Sequence, residues 1–94
     1  LVLRGHGEQA EVNDRWLTDR AAFRPAGAPT LDALRSLVAA CRAGGPPALP
    51  RALACLVGYF GYETIGLVEA LPRAAPNPLE LPDLMFVRPT VLLV

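Results

Sequence analysis

Lysine is absent from this sequence. All nine basic residues are arginine, they balance nine carboxylates, and the formal net charge is zero with a pI near 6.8. A neutral chain of mixed sign exerts no sustained pull on phosphate backbones or anionic lipid, which argues against nucleic-acid and membrane-surface partners. Long hydrophobic runs are missing as well. The longest, Ala52 to Tyr62, is 11 residues including its glycines, against the roughly 20 that a membrane-spanning helix requires. Cysteine occurs twice, at Cys41 and Cys55, 14 positions apart and with no histidine or further cysteine nearby. That pattern forms neither a disulfide scaffold nor a metal-ligand set, and both thiols are expected to be free and buried. Histidine occurs once, at His6, between two glycines. A lone imidazole in a turn has no partner for catalysis or metal binding, so a solvated side chain is expected. With no lysine there is no P-loop, and no serine elbow, Cys-His pair or HExxH motif is present.

What remains is a chain of 94 residues that is 52% hydrophobic, with 10 prolines and 8 glycines. The length suits one small domain or a piece of a larger one. Leu, Ile, Val and Phe number 28, well above the roughly 20% below which chains stay disordered. The 15 alanines and 10 prolines beside zero lysines fit a GC-rich genome, a coding bias without chemical meaning. The start lacks the uninterrupted apolar segment of a secretory signal, and a cytoplasmic location is expected. Both ends, Leu-Val-Leu and Val-Leu-Leu-Val, read as strands rather than frayed polar termini. The expectation is therefore a partial domain, residues 1–94, from a longer polypeptide.

Along the chain, Leu1–Arg4 and Gln9–Val12 read as two strands of an antiparallel hairpin with Gly7-Glu8 at the turn, because glycine supplies the positive φ that such turns need. From Asp14 to Pro29 no period holds and a long connection is predicted. Thr30–Ala43 is the clearest element. Thr30 offers an N-cap oxygen, Asp32 complements the helix dipole, Gly44 provides a stop, and Leu31, Leu34, Leu37, Val38 and Cys41 form one apolar stripe. A stiff non-helical link, Gly44 to Pro50, follows. Ala52–Tyr59 is apolar on both alternating faces, as in a strand covered on two sides. Tyr62–Leu71 has Thr64, Leu67, Val68 and Leu71 at helical spacing, weakened by Gly66. Pro72–Pro82 is an irregular loop. Leu84–Val94 is strand-like, with a break at Arg88-Pro89 that implies an edge or a bulge. The fold class is α+β: antiparallel strands with two helices, part of a larger layered sheet-and-helix domain.

Gly58-Tyr59-Phe60-Gly61-Tyr62-Glu63 is the most unusual stretch. Its spacing is not Gly-x-Gly-x-x-Gly and no basic residue follows, so a structural corner with packed tyrosines is preferred over a nucleotide cradle. Glu63 and Glu69 are six apart, roughly 120° out of line on a helix, and are expected to be exposed charges. With the segment Val68-Glu69-Ala70-Leu71-Pro72 and the block from Pro78 through Leu81-Pro82-Asp83-Leu84 to Arg88-Pro89-Thr90, this stretch resembles the N-terminal region of the large, synthase subunit of anthranilate synthase (component I), a chorismate-utilising family. Glu63 stands where that family usually has Asp. The first hairpin and the Thr30 helix agree in kind and order.

The resemblance implies a cytoplasmic enzyme of tryptophan biosynthesis that converts chorismate and ammonia to anthranilate and pyruvate with Mg2+. It implies two partners, a glutamine amidotransferase subunit that supplies the ammonia and the C-terminal chorismate-binding half of the same chain. Magnesium and chorismate belong to that half, and the family's inhibitor motif lies upstream of the hairpin. No catalytic, cofactor-binding or metal residue is therefore assigned within these 94 positions. Two alternatives stay open: the same region of aminodeoxychorismate synthase, which shares these motifs, and a self-contained interaction module.

Overall fold

The hairpin turn sets the first register. In the computed structural model, which describes residues 1–43, 46–72 and 75–93, β1 (Val2–His6) pairs antiparallel with β2 (Gln9–Asn13), joining His6 to Gln9 and Val2 to Asn13. Gly7 sits at the first turn position with φ +55°, a conformation open to glycine at no steric cost. The expected hairpin is thus present, and its strands run on to His6 and Asn13.

Five strands make one antiparallel sheet in the order β3-β2-β1-β5-β4, with β3 at Arg24–Pro25, β4 at Val57–Phe60 and β5 at Leu84–Val87. The α-helix α1 covers Thr30–Ala43 as expected. The sheet and helices bear out the α+β class. Cross-strand partners share a face of a sheet, so the register Leu3↔Val12, Gly5↔Ala10, Leu3↔Phe86 and Gly5↔Leu84 puts these side chains together on one side. There Leu3, Ala10 and Leu84 meet Ala33 and Leu34 of α1 in the core, with Leu31, Leu37, Val38 and Phe86 packed around them. Cys41 on the same helix stripe is buried, Cys55 is half-buried, and both are free thiols. The opposite face is covered near β1 and β2 by the 14–23 connection. The Arg4 guanidinium lies 3.6 Å from the Phe23 ring centroid and 2.7 Å from Glu11, and Phe23 meets Trp16 edge-on at 6.0 Å. Buried Asn13 closes the loop by donating to Asp19 O and accepting from Arg15 N, both at 2.8 Å.

Several expectations need correction. The predicted strand Ala52–Tyr59 begins with a 3₁₀ turn, Arg51–Leu53, and pairs only over Val57–Phe60. That paired part is exposed along its whole length rather than covered on both sides, because among the described residues β4 has only β5 beside it and α1 packs over β1 and β2. The second helix is a 3₁₀ helix, Tyr62–Leu67, which stops short of Leu71; Val68 and Leu71 are exposed. The i→i+3 geometry favours short runs, and Gly66 adds a cost of about 1 kcal/mol against continuing an α-helix. Strand β5 ends at Val87 and lies inside the sheet. Pro89 follows the pairing, so its missing donor affects no ladder; Arg88 N still donates to Leu1 O at 2.9 Å. The connections at 14–29, 46–50 and 75–82 are irregular apart from β3. The expected stop at Gly44, Gly45 of the link, Arg73 and Ala74 of the loop and Val94 of the last strand lie outside the described residues.

A β-carbon at Gly58 would run into Met85 O and come within 2.7 Å of Phe86 Cδ1, whereas one at Gly66 meets nothing nearer than Leu71 O at 4.0 Å. Gly58→Ala is therefore expected to destabilise the protein by about 1–3 kcal/mol through overpacking, and Gly66→Ala to be neutral or stabilising. Urea-denaturation midpoints of the two variants check this; equal midpoints would show that β4 and β5 do not pack this closely.

Candidate functional site: the Asp83 junction

Two of the sequence blocks that carry the resemblance meet at one residue. Asp83 directly precedes β5 and is 6% exposed. Its backbone N donates to Gly5 O at 2.7 Å and its backbone O accepts from Gly61 N at 2.6 Å. The same oxygen accepts from Thr64 Oγ1 at 3.0 Å, and the carboxylate Oδ2 accepts from Gly7 N at 2.6 Å. One residue thus fastens β1, the hairpin turn, the corner after β4 and the 3₁₀ helix. Tyr59 OH adds a bond to Pro82 O at 2.9 Å. A buried carboxylate must be satisfied, and an amide donating to an ionised oxygen is worth about twice a neutral pair.

Glycine is required where these segments close on each other. A β-carbon at Gly61 would sit 2.8 Å from Asp83 O, and one at Gly5 would collide with the Thr30 side chain. The reading of Gly58–Glu63 as a structural corner is borne out, with Phe60 packed edge-on to Phe86 at 5.0 Å. Its tyrosines divide. Tyr59 joins the junction, whereas Tyr62 is 91% exposed instead of packed. Glu63, expected to be exposed, is half-buried, while Glu69 is exposed as expected.

Thr30 also departs from its expected role. Its side chain is buried, and its hydroxyl donates to Gly7 O at 2.6 Å. The helix start is thereby tied to the hairpin turn rather than capped by that oxygen. Asp32 does lie in the first turn, where it pairs with Arg35 at 3.0 Å. His6 ends β1, is exposed, and places Nε2 3.5 Å from Glu80 O. Away from the junction, a hydrogen bond from Arg24 holds the Asp14 carboxyl below its usual range.

Chemically the junction is a joint. Its polar atoms are directed at one another, and no nucleophile stands beside a base among the contacts described. Among the described residues no three of His, Cys, Asp and Glu converge as metal ligands. In the sequence Asp83 is one residue of a motif, and its position directly before an apolar strand is the signal that its carboxylate needs buried partners. Asp83→Ala is expected to cost about 1–3 kcal/mol, since it removes the acceptor of the half-buried Gly7 amide, and Asp83→Asn less, because an acceptor oxygen remains. Thr30→Val, which removes one hydroxyl donor, is expected to cost about 1 kcal/mol. Denaturant midpoints of the three variants check this ranking, and an Asp83→Ala protein as stable as the parent would contradict it.

No family model and no solved structure matches the chain, but several curated proteins do. Over all 94 residues, 100% of this chain and 19% of the relative, it is 43% identical to anthranilate synthase component 1 of Cereibacter sphaeroides. It is 33% identical over 75 residues, 80% of the chain and 14% of the relative, to the protein of that name from Mycolicibacterium smegmatis. A third match, from Thermus thermophilus, is 44% identical over 48 residues, 51% of the chain and 10% of the relative. The chain spans at most about a fifth of the length of these relatives. With 43% identity over the whole of its length, the chain belongs to the anthranilate synthase component 1 family, matching the N-terminal region of such subunits.

Proposed function

We propose that these 94 residues are a non-catalytic scaffold within an anthranilate synthase component 1 subunit, whose whole chain converts chorismate and ammonia to anthranilate and pyruvate with loss of water. The observation that carries this reading is the 43% identity over every residue of the chain to a protein of that name. Two features of the chain support the scaffold role. Its buried Asp83 is engaged with backbone amides and a threonine hydroxyl. Its single histidine is exposed at a strand end. The chorismate and Mg2+ chemistry is assigned to the rest of the subunit, and the ammonia to a glutamine amidotransferase partner. The cytoplasm is the proposed location; among the described residues no helix is long and apolar enough to cross a membrane.

The test uses the complete gene product that carries this segment. Given chorismate, ammonium and Mg2+, it is expected to form fluorescent anthranilate; given glutamine in place of ammonium, it is expected to need an added amidotransferase subunit. The 94-residue segment alone is expected to give no turnover. Formation of 4-amino-4-deoxychorismate in place of anthranilate would replace this reading with aminodeoxychorismate synthase.

A further inference from the structure

The two edges of the sheet are built differently. Natural sheets blunt an exposed edge with charge, proline or shortness, because its unpaired N–H and C=O groups otherwise recruit another strand. The β3 edge follows that rule, being two residues long, one an arginine and the other a proline. The β4 edge does not. Val57-Gly58-Tyr59-Phe60 carries no charge and no proline, and among the described residues its outer side has no partner strand. Both faces are open too. Gly58 pairs with Phe86 and Phe60 with Leu84, which puts Phe60 on the α1 side and Val57 and Tyr59 on the other. Val57 is 60%, Tyr59 42% and Phe60 59% exposed. Nearby Ile65, Val68 and Leu71 extend the apolar surface. The whole chain exposes 6951 Å², against about 5,200 Å² for a self-contained monomer of its mass.

We propose that β4 is an interior strand of the working protein, and that its outer edge is paired by a strand from the polypeptide of the same synthase subunit outside these 94 residues. This rests on the reading above that the chain is part of such a subunit. Two arguments select this occupant. The matched stretch is only 19% of the length of the Cereibacter sphaeroides relative, so most of such a subunit is available to supply it. An edge of four residues buries far less than the roughly 1,000 Å² that a stable contact between separate molecules needs. A strand on the same chain bears no translational cost of association and acts at high effective concentration. The added strand places its alternating side chains over Val57 and Tyr59 on one face and over Phe60 on the other, as in β-augmentation.

The experiment is residue-resolved hydrogen–deuterium exchange on the unmodified complete subunit, held monomeric by dilution and verified by light scattering. An interior strand protects successive amides, whereas an edge strand protects alternate ones. The expected result is that the amides of Val57 to Phe60 are all slowed about 100-fold or more relative to free-peptide rates, as in β5. Alternating protection, with every second amide exchanging freely, would overturn the proposal. So would protection that vanishes on dilution, which marks a second copy, or that arises only when an amidotransferase subunit is added. A second readout uses Val57→Cys in the complete subunit, with Leu17→Cys, at a site 82% exposed, as the open reference. Thiol labelling at position 57 is expected to be at least about tenfold slower than at position 17, and equal rates would refute the covering. Neither readout depends on turnover. Anthranilate formation by the same preparation reports separately on the functional reading.

Discussion

The amide of Gly7 and the carboxylate of Asp83, 2.6 Å apart, bridge 76 positions of sequence, and the arrangement of the sheet depends on that closure. Asp83 stands where the chain returns to lie beside its own first strand. Its backbone N–H reaches Gly5 O, so the ladder between β1 and β5 starts from a fixed point. Its carbonyl holds Gly61 and Thr64, so the corner after β4 is fixed by the same residue. Thr30 then links α1 to the other side of the same turn through Gly7 O. Helix, hairpin and late strands are thereby referred to one small polar cluster next to the core residue Leu84, which is fully buried. In such surroundings a satisfied bond is stronger than in water and an unsatisfied one is costly, which makes the cluster an effective selector of a single strand order.

The sheet divides into a finished side and an open side. On the β1–β2 side both faces are covered, by α1 on one and by the Arg4–Phe23–Trp16 stack of the 14–23 connection on the other. On the β4 side the apolar residues Val57, Tyr59 and Phe60 face outward in both directions. The radius of gyration, 14.6 Å, exceeds the roughly 12 Å typical of a compact domain of this length. The chain spans about a fifth of the length of its Cereibacter sphaeroides relative, and that asymmetry accords with the scaffold role proposed for it. On the open side the glycine-packed strand β4 stands with both faces exposed.

The local elements were legible in the sequence. Thr30–Ala43 carried a helical stripe and a first-turn carboxylate, and the helix has those bounds. Gly7 between two apolar segments marked the hairpin, and the glycines of the Gly58 corner marked close backbone approach. The errors fall where burial was inferred from composition. Ala52–Tyr59 looked doubly covered because its apolar residues do not alternate with polar ones, yet its paired part is an exposed edge here. Thr30 looked like a cap because capping is the local use of threonine before a helix, but a carbonyl 23 positions away claims its hydroxyl. The candidate site was visible as two motifs and invisible as one place.

By itself the sequence determined the neutral charge, the hairpin with its turn glycine and the helix with its apolar stripe, because these follow from composition or from neighbours a few residues apart. It also carried the family, since identity with a synthase subunit is a property of residue order. Only the tertiary structure decided that β5 enters between β1 and β4, that Asp83 joins the two motif blocks, and that β4 is left with an unpaired apolar edge. Those outcomes depend on which distant segments close on each other. The free energy of such a closure resides in contacts that no period or local propensity encodes.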